Sequence, residues 1–444
     1  MRRLPTALAF LALAVSPALA QAAPADSRLD KVLVIGIDGT RWDLLRAAMK
    51  SGRAPNLARV GRQGFARPGL LDYGPNVLTL SEVGWSSIAS GVWPDKHLVD
   101  GRKFNMDPGQ ATKNGYLDFI TRIETAAPAF DTYLASDWVN LGTTENGGPI
   151  FGSAMDASFN VAIAEERLEL WDAGDVKVTQ AASRHLRSSD PDASFVYLGL
   201  VDETAHLVGS ATPAYADAIA TTDRRIGQVL RAVRSRPSYP FESWTILVTT
   251  DHGQRALDEP SLVTHLSQTR LEITSFVIGS GLGLGSNVKK PLVVDVAPTV
   301  LRQLGLPVRP AWKLDGRPLA GAHPGASATV AVRGKGAARR LAASLRLSSA
   351  PAGVRSVALR LPAGVKLKSG PVSASVNGRP VSVRFSGRRT VILRFSPRAV
   401  RTLSFATAPG GVKVASGLEP GAQATVRLRG RKASRGTLRV RLAH

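Results

Sequence analysis

Three apolar segments of this sequence each run directly into an aspartate, and this pattern constrains the fold more than any other feature. The segments and their aspartates are Val32–Ile37 with Asp38, Phe195–Val201 with Asp202, and Trp244–Thr250 with Asp251. Apolar runs of this length predict buried strands. Open parallel sheets bind their ligands at the edge where the carboxyl ends of the strands meet, so we expect the three carboxylates to lie close together.

Histidines accompany two of these aspartates. His206 follows Asp202 by four residues, which places both side chains on one face if the segment is helical, and His252 follows Asp251 directly. The chain has no cysteine, so a metal would be held by carboxylate, imidazole and hydroxyl groups. With a hydroxyl and a loop histidine added, the candidate ligands are Asp38, Ser81, Asp202, His206, Asp251, His252 and His265.

This set suits two zinc ions, which can clamp the attacking and leaving oxygens of a displacement at phosphorus. Ser81 is the candidate nucleophile because it stands at the predicted start of a helix that ends at Gly91. The positive end of a helix favours an alkoxide and an incoming phosphate. Simpler interpretations remain for single members: Ser81 as an ordinary N-cap, and His265 as a surface loop histidine. Arg41 is interpreted as a solvated or paired arginine, and His97 as a structural or pocket-lining residue.

The order of predicted elements indicates two domains. Strands alternate with helices over residues 28–320, which predicts an α/β fold with a mostly parallel sheet covered by helices on both faces. The segment 101–175 is less regular. A linker rich in Gly, Ala and Pro follows over 321–328, and period-two alternation then predicts a C-terminal β-sandwich of about seven strands over 329–444. Asn377-Gly378 predicts a hairpin between Ser373–Val376 and Val381–Phe385.

The first twenty residues resemble a signal peptide. Arg2 and Arg3 precede an apolar stretch, and Ala18-Leu19-Ala20 is a small-x-small cleavage site. A membrane anchor is the alternative, although the stretch is shorter than the ~20 residues of a span. No later segment is apolar enough to cross a membrane. We therefore expect a secreted protein, or one at the cell surface or in the periplasm, without a transmembrane span after cleavage.

The net charge of +23 belongs entirely to the last part of the chain. Residues 325–444 contain 24 Lys and Arg and one acid, Glu419, which leaves 33 basic and 33 acidic residues in 1–324. A neutral catalytic part argues against electrostatic capture of nucleic acid by the active site itself. The basic part predicts an anionic surface partner, such as cell-wall polymer, lipid or nucleic acid. A solvated face that only confers solubility is the alternative.

Five motifs, taken in order, resemble those of the alkaline phosphatase superfamily and, within it, the type I phosphodiesterase/nucleotide pyrophosphatase group. They are Ile37-Asp38-Gly39-Thr40-Arg41, Pro55-Asn56-Leu57, Asp202-Glu203-Thr204-Ala205-His206, Thr250-Asp251-His252-Gly253, and Asp295–Leu301 with Asp315–Leu319. The resemblance implies one zinc on Asp202, His206 and His265, and a second on Asp38, Asp251 and His252. It also implies that Ser81 is the bridging nucleophile.

Two positions depart from the pattern of that group. Gly84 replaces an asparagine that holds a phosphoryl oxygen in many members, and the segment around His265 lacks the usual glycines. The implied function is hydrolysis of phosphate esters, with a phosphodiester or pyrophosphate as substrate and a phosphoseryl intermediate. A phosphomonoesterase or a sulfatase-like hydrolase is the alternative within the superfamily. A non-catalytic surface-binding protein, acting through the basic domain, is the alternative from another class.

Overall fold

The computed structural model describes residues 27–71, 79–99, 115–144, 149–261, 264–321, 327–347, 353–419, 422–430 and 435–443. The predicted signal peptide, 1–20, and residues 322–326 of the predicted linker lie outside these ranges. Every helix within them is too short or too polar to cross a lipid bilayer.

The first part of the chain forms a seven-stranded sheet. After β1 (Ser27–Arg28), its strands are β2 (Asp30–Ile37), β3 (Phe65–Leu70), β4 (Thr132–Ser136), β5 (Ala157–Asn160), β6 (Ala193–Leu198), β7 (Ser243–Thr249) and β8 (Thr274–Ser280). The strand order is β3-β8-β7-β2-β6-β4-β5. Only β8 runs against the common direction, since it pairs antiparallel with both β3 and β7. The sheet is therefore mostly parallel, as predicted.

Helices cover both faces of this sheet. They are α1 (Trp42–Ser51), α2 (Pro55–Gln63), α3 (Ser81–Ser90), α4 (Pro94–His97), α5 (Phe119–Ala126), α6 (Leu168–Ser188), α7 (Leu200–Val208), α8 (Pro213–Arg234) and α9 (Val296–Gln303). Short 3₁₀ helices span Val139–Leu141, Tyr239–Phe241, Val293–Asp295, Pro310–Trp312 and Gly336–Ala338. Successive residues of β2 enter opposite cores: Val32 and Val34 pack towards α3, α5 and α9, whereas Leu33 and Ile35 pack towards the other helices.

Two sequence predictions about this sheet were inaccurate. The strand expected over Phe195–Val201 ends at Leu198, and Leu200 and Val201 begin α7. Both residues are buried in the first helical turn, so the apolar run continues across the boundary. The irregular segment 101–175 contributes two strands, β4 and β5, which extend the sheet. β4 and β5 are only five and four residues long, too short for a clear pattern.

The last part of the chain forms antiparallel sheets. Its strands are β9 (Ser327–Arg333), β10 (Arg340–Arg346), β11 (Val354–Arg360), β12 (Val365–Leu367), β13 (Val372–Val376), β14 (Arg379–Pro380), β15 (Ser382–Ser386), β16 (Thr390–Arg398), β17 (Thr402–Thr407), β18 (Val412–Val414), β19 (Gln423–Gly430) and β20 (Arg435–Ala443). The main order is β14-β13-β17-β10-β9-β20-β19-β11-β16-β15, and β12 pairs with β18 separately. A short parallel pairing of β20 with β9 joins the two layers, which enclose one apolar core.

This architecture is the predicted β-sandwich, with more strands than expected. The described residues form twelve strands where about seven were predicted, and β12, β14 and β18 are among those too short to show alternation. Asn377 and Gly378 have φ values of 51° and 75° and form the predicted turn. The pairing after that turn was predicted wrongly, since β13 pairs with the two-residue β14 and the following β15 pairs with β16 instead.

The two parts of the chain are packed together along one seam. β1 pairs with β9, which begins two residues before the expected start of the sandwich. Leu29 and Phe241 belong to the apolar core of the sandwich although they precede it in sequence. The amide of Thr437 donates a hydrogen bond to the carbonyl of Pro237 at 2.6 Å. The seam lies beside the residues that precede β2 and β7, at the edge of the parallel sheet opposite the three aspartates.

Candidate metal centre

The three strand-end aspartates lie together at the carboxyl edge of the sheet. Asp38 follows β2, Asp251 follows β7, and Asp202 lies in the first turn of α7, just after β6; these three strands are neighbours. One ligand atom from each of Asp38, Asp251 and His252 lies within 4.8 Å of the others. Asp202, His252 and His265 form a second group by the same measure. All five residues are buried.

The three histidines present the same nitrogen to this region. The Nδ1 of His252 bonds to the carbonyl of Gly253 at 2.9 Å, and that of His206 to the carbonyl of Ser261 at 3.2 Å. The Nδ1 of His265 bonds to the carbonyl of Thr79. A histidine that donates one ring N–H to the backbone keeps the other nitrogen, Nε2, oriented for a metal.

The carboxylates also fit a metal. Asp38 Oδ2 accepts hydrogen bonds from Trp85 Nε1 at 2.9 Å and from the Tyr197 hydroxyl, and its Oδ1 is turned towards Ser81 and His252. Asp251 Oδ1 accepts from the amide of Gly39 at 3.2 Å. Its buried Oδ2 lies 3.2 Å from His252 Nε2 and has no hydrogen-bond donor among the described residues. A buried carboxylate oxygen without a donor is costly unless a cation faces it. The donor set therefore fits divalent cations.

The pKa shifts of the carboxylates also favour a bound cation. Burial, followed by the charge of Asp202, raises the pKa of Asp38. Burial and the charge of Asp38 raise the pKa of Asp251 well above its ordinary value. The protein thus holds mutually repelling carboxylates in a buried site, an arrangement that positive charge between them would relieve.

The histidines differ from one another in protonation. Burial opposes the charge of His206, but Asp202 Oδ2 lies 3.2 Å from its Nε2 and raises its pKa to about 10. Burial and the charge of His252 lower the pKa of His265 to about 3, so that imidazole is neutral. Burial also opposes the charged form of Asp202, but His206 lowers the Asp202 pKa overall.

Glycine is required where the loop after β2 approaches α7. Gly39 has a φ of 51°, and a Cβ atom on it would lie 1.9 Å from Asp202 Oδ1. No other residue leaves room for the carboxylate. The amide of Thr40 donates to Thr250 Oγ1 at 3.0 Å, which ties the same loop to the segment before Asp251. The Asp-Gly pair thus brings two candidate metal-binding loops together.

Ser81 faces two of the candidate ligands, Asp38 and His252. Its Oγ lies 3.5 Å from Asp38 Oδ1 and 3.4 Å from His252 Nε2. Ser81 is the first residue of α3, and Leu80 occupies the N-cap position, so the predicted N-cap role is wrong by one residue. The Ser81 hydroxyl therefore contacts the carboxylate of Asp38 and does not cap the helix.

The departure at Gly84 has a steric reason. A Cβ atom on this residue would lie 2.6 Å from the Cβ of Asp251. The first turn of α3 therefore packs directly on the loop that carries Asp251 and His252. An asparagine does not fit here in this backbone arrangement, so the usual side-chain contact to a phosphoryl oxygen is absent at this position.

The remaining sequence candidates occupy different positions. His206 contacts Asp202 but is not among the two groups of closest ligand atoms, in which His252 takes part twice. Arg41 pairs with Asp43 at 2.7 Å and donates to Ser210, as expected of a paired arginine. His97 is buried, accepts from the amide of Val99 and contacts Ser87 Oγ at 3.0 Å. These contacts indicate a structural role.

Sequence reasoning did not identify the residues that support the ligands. Trp85 and Tyr197 bind Asp38, and the side-chain amide of Gln254 donates to Asp202 Oδ1. A signal existed for Trp85 and for Gln254: the former lies one helical turn after Ser81, and the latter two residues after His252. Tyr197 lies within an apolar strand, where nothing in the sequence separates it from a core aromatic.

The sequence profile described as type I phosphodiesterase / nucleotide pyrophosphatase matches residues 32–271, more than half of the chain. The chain belongs to this family. The resemblance drawn from the five motifs is therefore confirmed. Among curated proteins, none matches the chain significantly.

Solved structures in the alkaline phosphatase superfamily are similar to this chain. Murine ectonucleotide pyrophosphatase/phosphodiesterase 5 has 13% identity and a TM-score of 0.43, over 63% of this chain and 96% of that one. A 2-O GAG sulfatase has 13% identity and a TM-score of 0.48, over 72% and 82%. A superfamily member from Vibrio parahaemolyticus has 12% identity and a TM-score of 0.42, over 72% and 77%.

Proposed function

We propose that this protein hydrolyses phosphodiester or pyrophosphate bonds with Ser81 as the nucleophile. One observation carries the proposal: the Ser81 hydroxyl lies 3.5 Å from Asp38 Oδ1 and 3.4 Å from His252 Nε2, and His252 belongs to both groups of buried metal-type ligands. Membership of the type I phosphodiesterase family supports the reaction class. The family supports the proposed substrate class, and the geometry supports the proposed role of the serine.

Asp38, Asp251 and His252 would hold one divalent ion, and Asp202, His206 and His265 the other. His252 lies close enough to contribute to both groups. When bound, the ions, proposed to be zinc, would neutralise the serine alkoxide and the charge that develops on the leaving oxygen. The protein contributes by orienting the ligands: Trp85 and Tyr197 hold Asp38, and backbone carbonyls fix the three imidazoles.

The reaction would proceed in two displacements. Ser81 Oγ loses its proton and attacks phosphorus, and the first ester oxygen leaves and takes up a proton. The product is a phosphoserine that still carries the second group of the substrate. Water then cleaves the phosphoserine and restores the hydroxyl. Because Ser81 begins the ten-residue helix α3, the free backbone amides of that helix point towards the phosphoryl group and favour its negative charge. These amides would hold the phosphoryl oxygen in place of the asparagine side chain that Gly84 lacks.

The test compares a nitrophenyl phosphodiester with a nitrophenyl phosphomonoester as substrates, with zinc present. Ser81→Ala should abolish hydrolysis and retain bound metal. Ser86→Ala is the matched control, since it makes the same change in the same helix at a buried hydroxyl that does not face the ligands. Full activity in Ser81→Ala would refute the nucleophile, and preference for the monoester would favour the phosphatase alternative. Zinc binding without cleavage of either ester would turn attention to sulfate esters.

Secretion is also part of the proposal. The signal-peptide pattern of residues 1–20 supports it, and the exported protein should begin at Gln21. Mass spectrometry of protein recovered outside the cytoplasm measures this end directly. Recovery of the intact first residue would favour a membrane anchor.

A further inference from the structure

The two outer faces of the β-sandwich differ in where their exposed arginines lie. One layer consists of β15, β16, β11, β19 and β20, and exposed arginines occupy many of its outward positions. We call five of them, which lie on β11, β15, β16 and β19, the arginine face: Arg360, Arg384, Arg394, Arg427 and Arg429. The residues between them along each strand, such as Leu359, Leu393 and Leu428, are buried in the core. The alternation is strict enough to assign these arginines to the solvent side.

The opposite layer carries hydroxyl groups at its centre instead. Thr329, Ser344, Ser404 and Ser375 stand in register across β9, β10, β17 and β13. Thr329 and Ser344 hydrogen-bond at 2.5 Å, and Ser375 and Ser404 at 2.9 Å. The exposed arginines of this layer lie at the ends of its strands: Arg333, Arg340, Arg346 and Arg379. Among the described residues, exposed arginines occupy the centre of the other layer only, and this arrangement argues for a ligand on the arginine face.

The arginines of this face have no partner within the protein. In the part of the chain that the structure describes, none of the five forms an ion pair or a side-chain hydrogen bond, and the sandwich sequence contains a single acid, Glu419. Their spacing is set by the sheet: Arg427 and Arg429 are alternate residues of β19, about 7 Å apart, and Arg394 lies two strands from Arg429, about 10 Å away. Holding like charges this close costs stability unless an anion is bound.

The residues that lie between the arginines on the sheet surface limit the class of anion that can bind there. They are Ser356, Ala358, Thr390, Ile392 and Thr425, all partly accessible. None is aromatic, so the face has nothing on which nucleic-acid bases could stack. None is a fully exposed large apolar residue of the kind that anchors a protein in a lipid interface. Hydroxyl and guanidinium groups together suit a chain of sugars that bears anionic groups.

We propose that the arginine face binds an anionic polysaccharide, which contacts several arginines at once through its carboxylate, sulfate or phosphate groups. Arginine suits this role because its planar fork pairs with such groups in a bidentate manner. The inference goes beyond the proposed catalytic function, and it is independent of the chemistry at Ser81.

The test measures binding of the full mature chain to a short heparin fragment as salt is varied. The full chain is needed because Leu29 and Phe241 complete the core of the sandwich. Arg394→Gln/Arg427→Gln should weaken binding by about tenfold and make the salt dependence shallower by about one to two in the log–log slope. Arg333→Gln/Arg346→Gln is the matched control: it removes the same charge from exposed strand ends of the opposite layer and should leave binding nearly unchanged.

Equal loss in the two double variants would show that the whole charge, and not this face, binds the fragment, and would overturn the proposal. Tighter binding of poly(U) RNA than of heparin would assign the face to nucleic acid instead. Binding to phosphatidylglycerol vesicles, with none to heparin, would assign it to a membrane. The RNA and vesicle experiments use the same two double variants. They therefore also show whether RNA or lipid binds at the arginine face.

Discussion

At the scale of single residues, the supporting hydrogen bonds decide how well the aspartates could hold metal. Trp85 is buried between Phe195 and Tyr197, with ring centroids 5.8 and 5.3 Å away, and its Nε1 donates to Asp38. Trp85→Phe removes the donor but keeps an aromatic ring in the gap. We expect metal affinity and diesterase activity to fall by about 10–100-fold with folding preserved.

The measurement for Trp85→Phe is zinc content by titration together with kcat/KM on the nitrophenyl diester. Trp42→Phe is the control, since Trp42 packs on Phe276 in the other core, away from the aspartates. Unchanged zinc affinity in Trp85→Phe would mean that Tyr197 alone orients Asp38.

His97 should make the protein sensitive to mild acid. Burial lowers its pKa to about 3, whereas an unfolded chain restores the ordinary value of 6.5. A lowered folded pKa contributes stability that is complete above pH 6.5 and is lost as the pH falls towards 3. Between pH 7 and pH 5 this loss amounts to about 2 kcal/mol. Urea unfolding at the two pH values should show a smaller decrease for His97→Gln than for the wild type, and an equal decrease would exclude His97 as the titrating group.

The candidate ligands could be predicted from the sequence because each follows a recognisable apolar run or lies in a motif. Asp38 and Asp251 are examples, since their strands end where the pattern ends. The support of Asp38 by Tyr197 could not be predicted, because it depends on which side chains of neighbouring strands face each other at the sheet edge. The place of His252 between two groups of ligands has the same origin.

At the scale of elements, the position of α3 sets the distance between the nucleophile and the metal ligands. Its first turn touches the loop of Asp251 at Gly84 with no space left for a side chain. Gly84→Ala should push helix and loop apart, at a cost of about 1–3 kcal/mol in the free energy of unfolding. Thermal unfolding and diesterase kinetics should both report the change. A variant with wild-type stability and activity would show that the loop moves freely.

Sequence patterns predicted the boundaries of helices and strands less accurately than their existence. The start of helix α8 is marked in the sequence, because Thr212 caps it and Pro213 occupies its first turn. The end of β6 was predicted wrongly because the buried first turn of α7 is as apolar as the strand before it. β14 was missed because a strand of two residues is too short to show alternation of apolar and polar residues. The turn before it was predicted correctly from Asn377-Gly378.

At the scale of the whole molecule, the α/β part completes the core of the sandwich. Phe241 is buried among sandwich residues, and Gly436 of β20 approaches it so closely that a Cβ atom would lie 2.9 Å from its ring. Phe241→Ala should lower the free energy of unfolding by about 3–5 kcal/mol. In this variant, heparin binding, followed by fluorescence, and diesterase activity should be lost over different ranges of urea concentration. The weakened seam lets the two parts of the chain unfold separately.

Phe241→Leu provides the graded comparison for that experiment, because it keeps most of the apolar volume and should cost less. If both variants unfold like the wild type, the seam contributes little and the two parts are independent.

The last strand of the chain has a consequence for how the protein is made. β20 lies in the middle of the eleven-stranded sheet, between β9 and β19, and not at its edge. A ribosome must therefore release residues 435–443 before the two layers can join, and β1, synthesised some three hundred residues earlier, must wait for β9. A nascent chain that crosses a membrane unfolded would gain from this delay, since the two layers cannot close before residues 435–443 have left the ribosome.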